Sequence, residues 1–87
     1  MTKMYVRHTV ADFEKWKAVF EEVEPFRQKM GSSGSHVFRN HSSPSEVLVI
    51  TDWDNKDQGL AFGHSPELKE AMGRGGVMGA PEITFSE

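Results

Sequence analysis

From Glu46 to Trp53 the chain reads Glu-Val-Leu-Val-Ile-Thr-Asp-Trp, and its centre, Val47 to Ile50, is apolar at four successive positions. Successive strand side chains point to opposite faces, so a strand covered on one side only should alternate apolar with polar. A run without alternation reads as a strand covered on both sides. Whatever this chain folds into must account for both covers.

The 87 residues allow one domain, residues 1–87, and no second core. A domain of this size buries only about 60% of its unfolded surface and often leans on disulfides, metals or self-association. Cysteine is absent, which removes disulfides, a thiol nucleophile and thiolate metal sites, and fits a reducing compartment. The net charge is −3 with the two signs interspersed, so no basic stripe is available for a phosphate backbone and nucleic acid is not an expected partner. Met1 to Met4 show no apolar leader, and no stretch approaches the ~18 apolar residues of a membrane span. A cytoplasmic protein is expected, without a membrane partner.

Hydrophobic periodicity gives the order of elements. In residues 4–10, Met4, Val6, His8 and Val10 share one side, and Tyr5, Arg7 and Thr9 the other, as in a strand. Phe13, Trp16, Val19, Phe20 and Val23 then recur at helical spacing, with Asp12 as N-cap or Thr9 with Asp12 as a capping box one turn earlier. Pro25 should kink this helix, and Phe26 to Met30 add a turn or two before Gly31. A strand is expected at about 36–40, turn chemistry at His41 to Ser45, and a third strand from Glu46 to Trp53. Asp54 is placed to cap a helical region carrying Leu60, Ala61 and Phe62, which Gly63-His64 interrupts and Ser65-Pro66 restarts. Leu68, Ala71 and Met72 form the apolar face of the restarted helix. Gly73, Gly75, Gly76 and Gly79 predict a loop suited to a hinge or lid, and residues 81–87 a last strand. The glycines follow a helix rather than open one, so they are no phosphate cradle.

The order is βαββαβ: an α+β, ferredoxin-like chain with a four-stranded antiparallel sheet and helices on one face. Two helices can cover only one face of that sheet, so the run Val47–Ile50 calls for a second copy packed sheet against sheet around a two-fold axis. The alternative is an edge strand that leaves one apolar side exposed.

This element order, Trp53-Asp54 at the end of the third strand, and Ser65-Pro66-Glu67-Leu68-Lys69-Glu70-Ala71-Met72 together resemble the dimeric α/β-barrel superfamily, and within it the antibiotic-biosynthesis-monooxygenase-like domains. The resemblance spans essentially the whole chain. It implies a homodimer formed through the sheet faces and, in each protomer, a small-molecule pocket between helices and sheet. Its members include cofactor-independent monooxygenases of aromatic polyketides, haem-degrading enzymes and isomerases. Where haem-degrading relatives carry a ligand histidine and a tryptophan, this sequence has Met72 and Phe62; where they carry an asparagine on the first strand, it has Arg7 or His8. That catalytic set does not carry over, and no cofactor is expected.

Against this background His8 is the first choice for a general base, since its ordinary pKa lies near neutrality and it sits on the apolar side of its strand. The alternative is a core histidine with one hydrogen bond. His64, at the helix break, is the second choice, against an exposed residue at a kink; His36 and His41 are read as surface. No histidine pair has the spacing that presents two metal ligands from one element, so no metal site is expected. Trp16, Phe20, Phe38, Trp53 and Phe62 are candidates to wall a pocket for a flat apolar ligand, with Met72 beside them. The competing reading makes such aromatic residues plain core. Asn40 either hydrogen-bonds a ligand or starts the turn. Arg27 and Arg39 offer carboxylate-binding chemistry, although solvated surface is the preferred reading for both. The leading function is a cofactor-independent oxygenase, cyclase or isomerase of an aromatic or apolar metabolite. The alternatives are a non-catalytic ligand-binding or stress-related dimeric module and, behind it, a haem- or metal-binding member.

Overall fold

A computed structural model describes residues 1–87. Strand β1 (Thr2–Val10) leads into α1 (Phe13–Glu22) and α2 (Glu24–Lys29); β2 (Gly34–Arg39) and β3 (Glu46–Trp53) follow, then α3 (Lys56–Gly63), α4 (Pro66–Arg74) and β4 (Val77–Ser86). The sheet is antiparallel with order β2-β3-β1-β4, the ferredoxin-like arrangement, so β1 and β3 are central and β2 and β4 are edges.

Local chemistry explains the helix boundaries. Asp12 caps α1 by accepting a hydrogen bond from the Lys15 amide, and Ser65 caps α4 by accepting one from the Leu68 amide. Pro25 lies in the first turn of α2, where its missing N–H costs nothing, so the first helix ends at Val23 and α2 starts beyond it. The cap of α3 is Asn55 rather than Asp54: Asn55 Oδ1 accepts from the Gln58 amide at 3.0 Å, while Gln58 Oε1 reaches back to the Asp54 amide. Gly59 lets α3 lie close to the sheet, for a Cβ there would sit 2.9 Å from the Phe85 ring.

The pairing of β1 with β3 sets Met4 beside Thr51, Val6 beside Val49 and His8 beside Val47, all on the helix side. Burial along β3 alternates. Val47, Val49, Thr51 and Trp53 are buried under the helices, while Leu48 and Ile50 lie half-buried on the opposite face. The apolar run therefore gives two residues to each side, and in a single chain the outer side has no second layer over it. Phe38, facing the same way as its partner Leu48, is 53% exposed.

Two strand boundaries differ from expectation. β2 begins at Gly34, and β4 begins at Val77 instead of residue 81. The glycine-rich segment is no free lid: α4 runs to Arg74, and Val77 and Met78 already pair with Val10 and Thr9 of β1. The glycines serve the turn and a bulge instead. Arg7 pairs with Glu82 but Thr9 with Met78, so Gly79 to Pro81 face His8 alone. Gly79 takes a positive φ of 73°, and Pro81 has no amide to give the ladder, a combination tolerated at an edge strand.

Candidate functional site

The helix side of the sheet carries two apolar clusters. Val10, Trp16, Val47 and Val49 make one, and Met4, Trp53 and Phe62 the other; Val6 packs against both. A cavity of about 100 Å³ borders both clusters. Its floor comes from Met4, Val6 and His8 of β1 and Val49 and Thr51 of β3; α1 gives Trp16 and α2 gives Arg27. Phe62 and Gly63 of α3 and Leu68 and Met72 of α4 close other sides, and the bulged edge strand contributes Pro81 and Ile83. The lining contains no carboxylate. A void this size is smaller than the ~150 Å³ engineered cavity that admits benzene, and well under the ~300 Å³ lower bound for drug-sized ligands.

His8 is 8% exposed, and its ring lies 5.4 Å from that of Trp16 at an angle of 59°. Burial lowers its pKa below the ordinary 6.5, because an imidazolium there would lose its hydration. It is therefore neutral at pH 7. Its Nδ1 is enclosed without a protein partner, which leaves Nε2 as the nitrogen with access to open space. The bulge opposite His8 interrupts the β1–β4 ladder at this point and brings Pro81 to the cavity.

Arg27 corrects the surface reading of that residue, for it is only 3% exposed. After the break at Pro25, its side chain folds back over the end of α1. Nη1 donates to the Phe20 carbonyl at 3.0 Å, one of the carbonyls near the helix C-terminus that lack an intrahelical partner. The guanidinium carbon lies 3.8 Å above the Phe20 ring centre. Nη2 is buried without a partner. Desolvation lowers the pKa of this group, opposed by the nearby Glu24, yet an arginine remains charged at neutral pH. A signal for its burial was present in the sequence: Arg27 lies on the same helical stripe as Val23 and Met30, next to Phe26.

The other expected site residues divide by position. Trp16, Phe62 and Met72 join His8 in the cavity wall. Phe20 stacks on Trp16, ring centres 5.1 Å apart, and backs the wall without lining it. Trp53 is 0% exposed, its indole N–H bonded to Thr51 Oγ1 at 2.8 Å, and it stands outside the lining as core. His64 is an exposed C-cap of α3 and does not reach the cavity. Phe38 faces the outer side of the sheet. Asn40 lies just beyond β2, accepting from the Ser42 and Ser43 amides as a turn residue. The structure thus brings His8, Trp16, Phe62 and Met72 together and leaves Phe38, Asn40, Trp53 and His64 outside. No group of three or more His, Cys, Asp or Glu side chains is placed to hold a metal ion.

The sequence profile of the antibiotic biosynthesis monooxygenase family matches residues 4–74. The chain belongs to that family. A candidate antibiotic biosynthesis monooxygenase from Bordetella bronchiseptica superposes with a TM-score of 0.86 at 15% identity, over 99% of this chain and 94% of that one. SnoaB, a cofactor-independent oxygenase from Streptomyces nogalater, gives 0.78 at 16% identity, over 99% of this chain and 90% of its own. A Caulobacter crescentus member gives 0.77 at 16%, over 98% and 86%. At such identities the likeness establishes the shared fold alone. Among curated proteins, none matches this sequence. No helix is long and apolar enough to cross a membrane.

Proposed function

We propose that this protein binds a small, flat, largely apolar metabolite against Trp16 and acts on it as an oxygenase, or a related cyclase or isomerase, without a cofactor. The observation that carries this reading is His8, a neutral imidazole whose accessible nitrogen borders an apolar cavity. Such a base takes a proton from an acidic C–H or O–H group at neutral pH. Trp16 and Phe62 offer ring faces to an aromatic body. The shared fold of SnoaB, a cofactor-independent oxygenase, adds weight to the oxygenase form.

In that form dioxygen is the oxidant. His8 Nε2 takes one proton from a CH₂ group flanked by electron-withdrawing rings, and the carbanion passes an electron to dioxygen. The two radicals join as a carbon-bound peroxide, which takes back the proton from the imidazolium. Removal of the second C–H proton breaks the O–O bond, giving a ketone and one water.

A binding module without chemistry is the second reading. Two observations favour it: the cavity is about 100 Å³, and no acceptor orients the ring through Nδ1. Native mass spectrometry of the protein after incubation with a bacterial metabolite extract tests the site. A small aromatic ligand retained by the wild type and lost from His8→Ala and Trp16→Ala supports it; equal retention by all three removes the assignment. Oxygen uptake on returning that ligand to the wild type, absent in His8→Ala, separates enzyme from binder.

The functional unit in this reading is a homodimer joined through the outer sheet face. Its support is the row of Phe38, Leu48 and Ile50 on a side no helix covers. Sedimentation velocity at micromolar concentration should give twice the 9.8 kDa chain mass, and Leu48→Glu should give the monomer. A wild type that sediments as a folded monomer would rule the dimer out.

A further inference from the structure

Glycine is the poorest helix former after proline, and a helix keeps one at little loss only where the backbone or a close neighbour requires it. Helix α3 contains two, Gly59 and Gly63, and only the first has such a reason. The two lie four residues apart, so side chains at both would leave the helix from nearly the same face. At Gly59 a Cβ would meet Phe85 at 2.9 Å, Trp53 at 3.5 Å and Met4 at 3.6 Å, which makes this the face turned to the sheet. At Gly63, one turn on, a Cβ would meet nothing beyond its own helix within 4 Å, although the residue is half-buried. Its φ is not in the left-handed region, so it is no glycine cap either. The space in front of it is the cavity. Gly63 lines that cavity together with Ile83, the next residue after Phe85 on the helix side of β4.

The lining is open on this side. Its members from α1, α2 and β3 are buried, whereas Gly63, Leu68, Met72 and Pro81 are half-buried and Ile83 is 41% exposed. The cavity therefore meets solvent between the α3–α4 corner and the β4 edge. The same lining holds His8, buried with an unpartnered Nδ1, so the space is not merely a packing gap between apolar side chains. We propose that Gly63 determines which ligands the cavity accepts: the room left by its missing side chain lets an apolar body too long for the enclosed volume of about 100 Å³ run past Ile83 to the surface. This rests on the reading of the cavity as a ligand site and names the residue that sets the length it takes. A larger residue at position 63 would stand in that passage, and the fold would lose nothing by carrying one.

Phenol and 4-phenylphenol share a head group and differ in length, which makes them suitable probes for calorimetric titration. The wild type is expected to bind 4-phenylphenol at least about tenfold more tightly than phenol, since the second ring gains apolar contact in the passage. Gly63→Ala should narrow that ratio, and Gly63→Leu should bring it close to one while leaving phenol within about threefold of the wild type. Without ligand, both variants should unfold thermally at or above the wild-type midpoint, because a better helix former enters open apolar space. A midpoint lowered in both variants overturns the inference, for it would show that position 63 has no room. So does a folded Gly63→Leu protein that keeps the preference for 4-phenylphenol, or that loses both probes equally. If Gly63→Leu alone fails to fold, the midpoint and the ratio of Gly63→Ala decide. Phenol bound by the wild type with no preference for 4-phenylphenol leaves the cavity as a ligand site and sinks only the role of Gly63; binding of neither probe removes both.

Discussion

Trp53 and Arg27 are both buried and both polar, yet their surroundings treat them differently. Trp53 is enclosed among Met4, Phe62 and their neighbours, and its one donor is met by Thr51 in the same strand. Arg27 borders the cavity with a stack and one hydrogen bond, and with Nη2 left over; His8, also in the lining, leaves Nδ1 over in the same way. Satisfied polar groups mark where the chain invests in stability. Unsatisfied ones cost stability with no return inside the fold, and Arg27 and His8 carry such atoms while Trp53 does not.

The contrast can be broken by measurement. Trp53→Ala should cost ~3–5 kcal/mol in urea unfolding, the usual penalty for emptying a large aromatic site. A loss below 1 kcal/mol, accompanied by lost ligand binding, would make Trp53 a site residue after all. Thr51→Val should cost about 1–3 kcal/mol by orphaning the indole N–H while nearly preserving shape. Arg27→Met should lie within about 1 kcal/mol of the wild type, because a desolvated charge is exchanged for an apolar chain of similar length. A penalty above ~3 kcal/mol would instead make Arg27 a structural clamp.

The smallest effect is in the pH dependence. The pKa of His8 is lower in the folded protein than its ordinary 6.5, so below that value the unfolded chain binds a proton the folded one resists. Stability should be unaffected by His8 above pH 6.5 and should fall as pH drops from 6.5 through the lowered folded value. His8→Phe should lack that part of the slope when the two proteins are compared by denaturant titration. Identical slopes in this window would mean that His8 is solvated.

Periodicity in the sequence was enough for the elements with a strong apolar pattern: β1, α1, the break at Pro25, β3 from Glu46 to Trp53, and the restart of α4 at Ser65-Pro66. Each is governed by chemistry within a few residues. The family followed from their order and from a few local strings. His8, Trp16, Phe62 and Met72 were legible as cavity residues because face and spacing place them on the helix side of the fold.

The tertiary structure decided what local pattern cannot encode. Whether Trp53 is wall or core depends on Thr51 being two residues away with its hydroxyl turned toward the indole. Phe38 went to the outer face because its pairing with Leu48, a contact between strands, sets which side it takes. The start of β4 was hidden because glycine and proline signal a loop in isolation, while here a bulge lets them pair around His8. Arg27 was misread because charge predicts exposure and outweighed its place on the stripe with Val23 and Met30; the packing of α2 against α1 is what takes the guanidinium out of water.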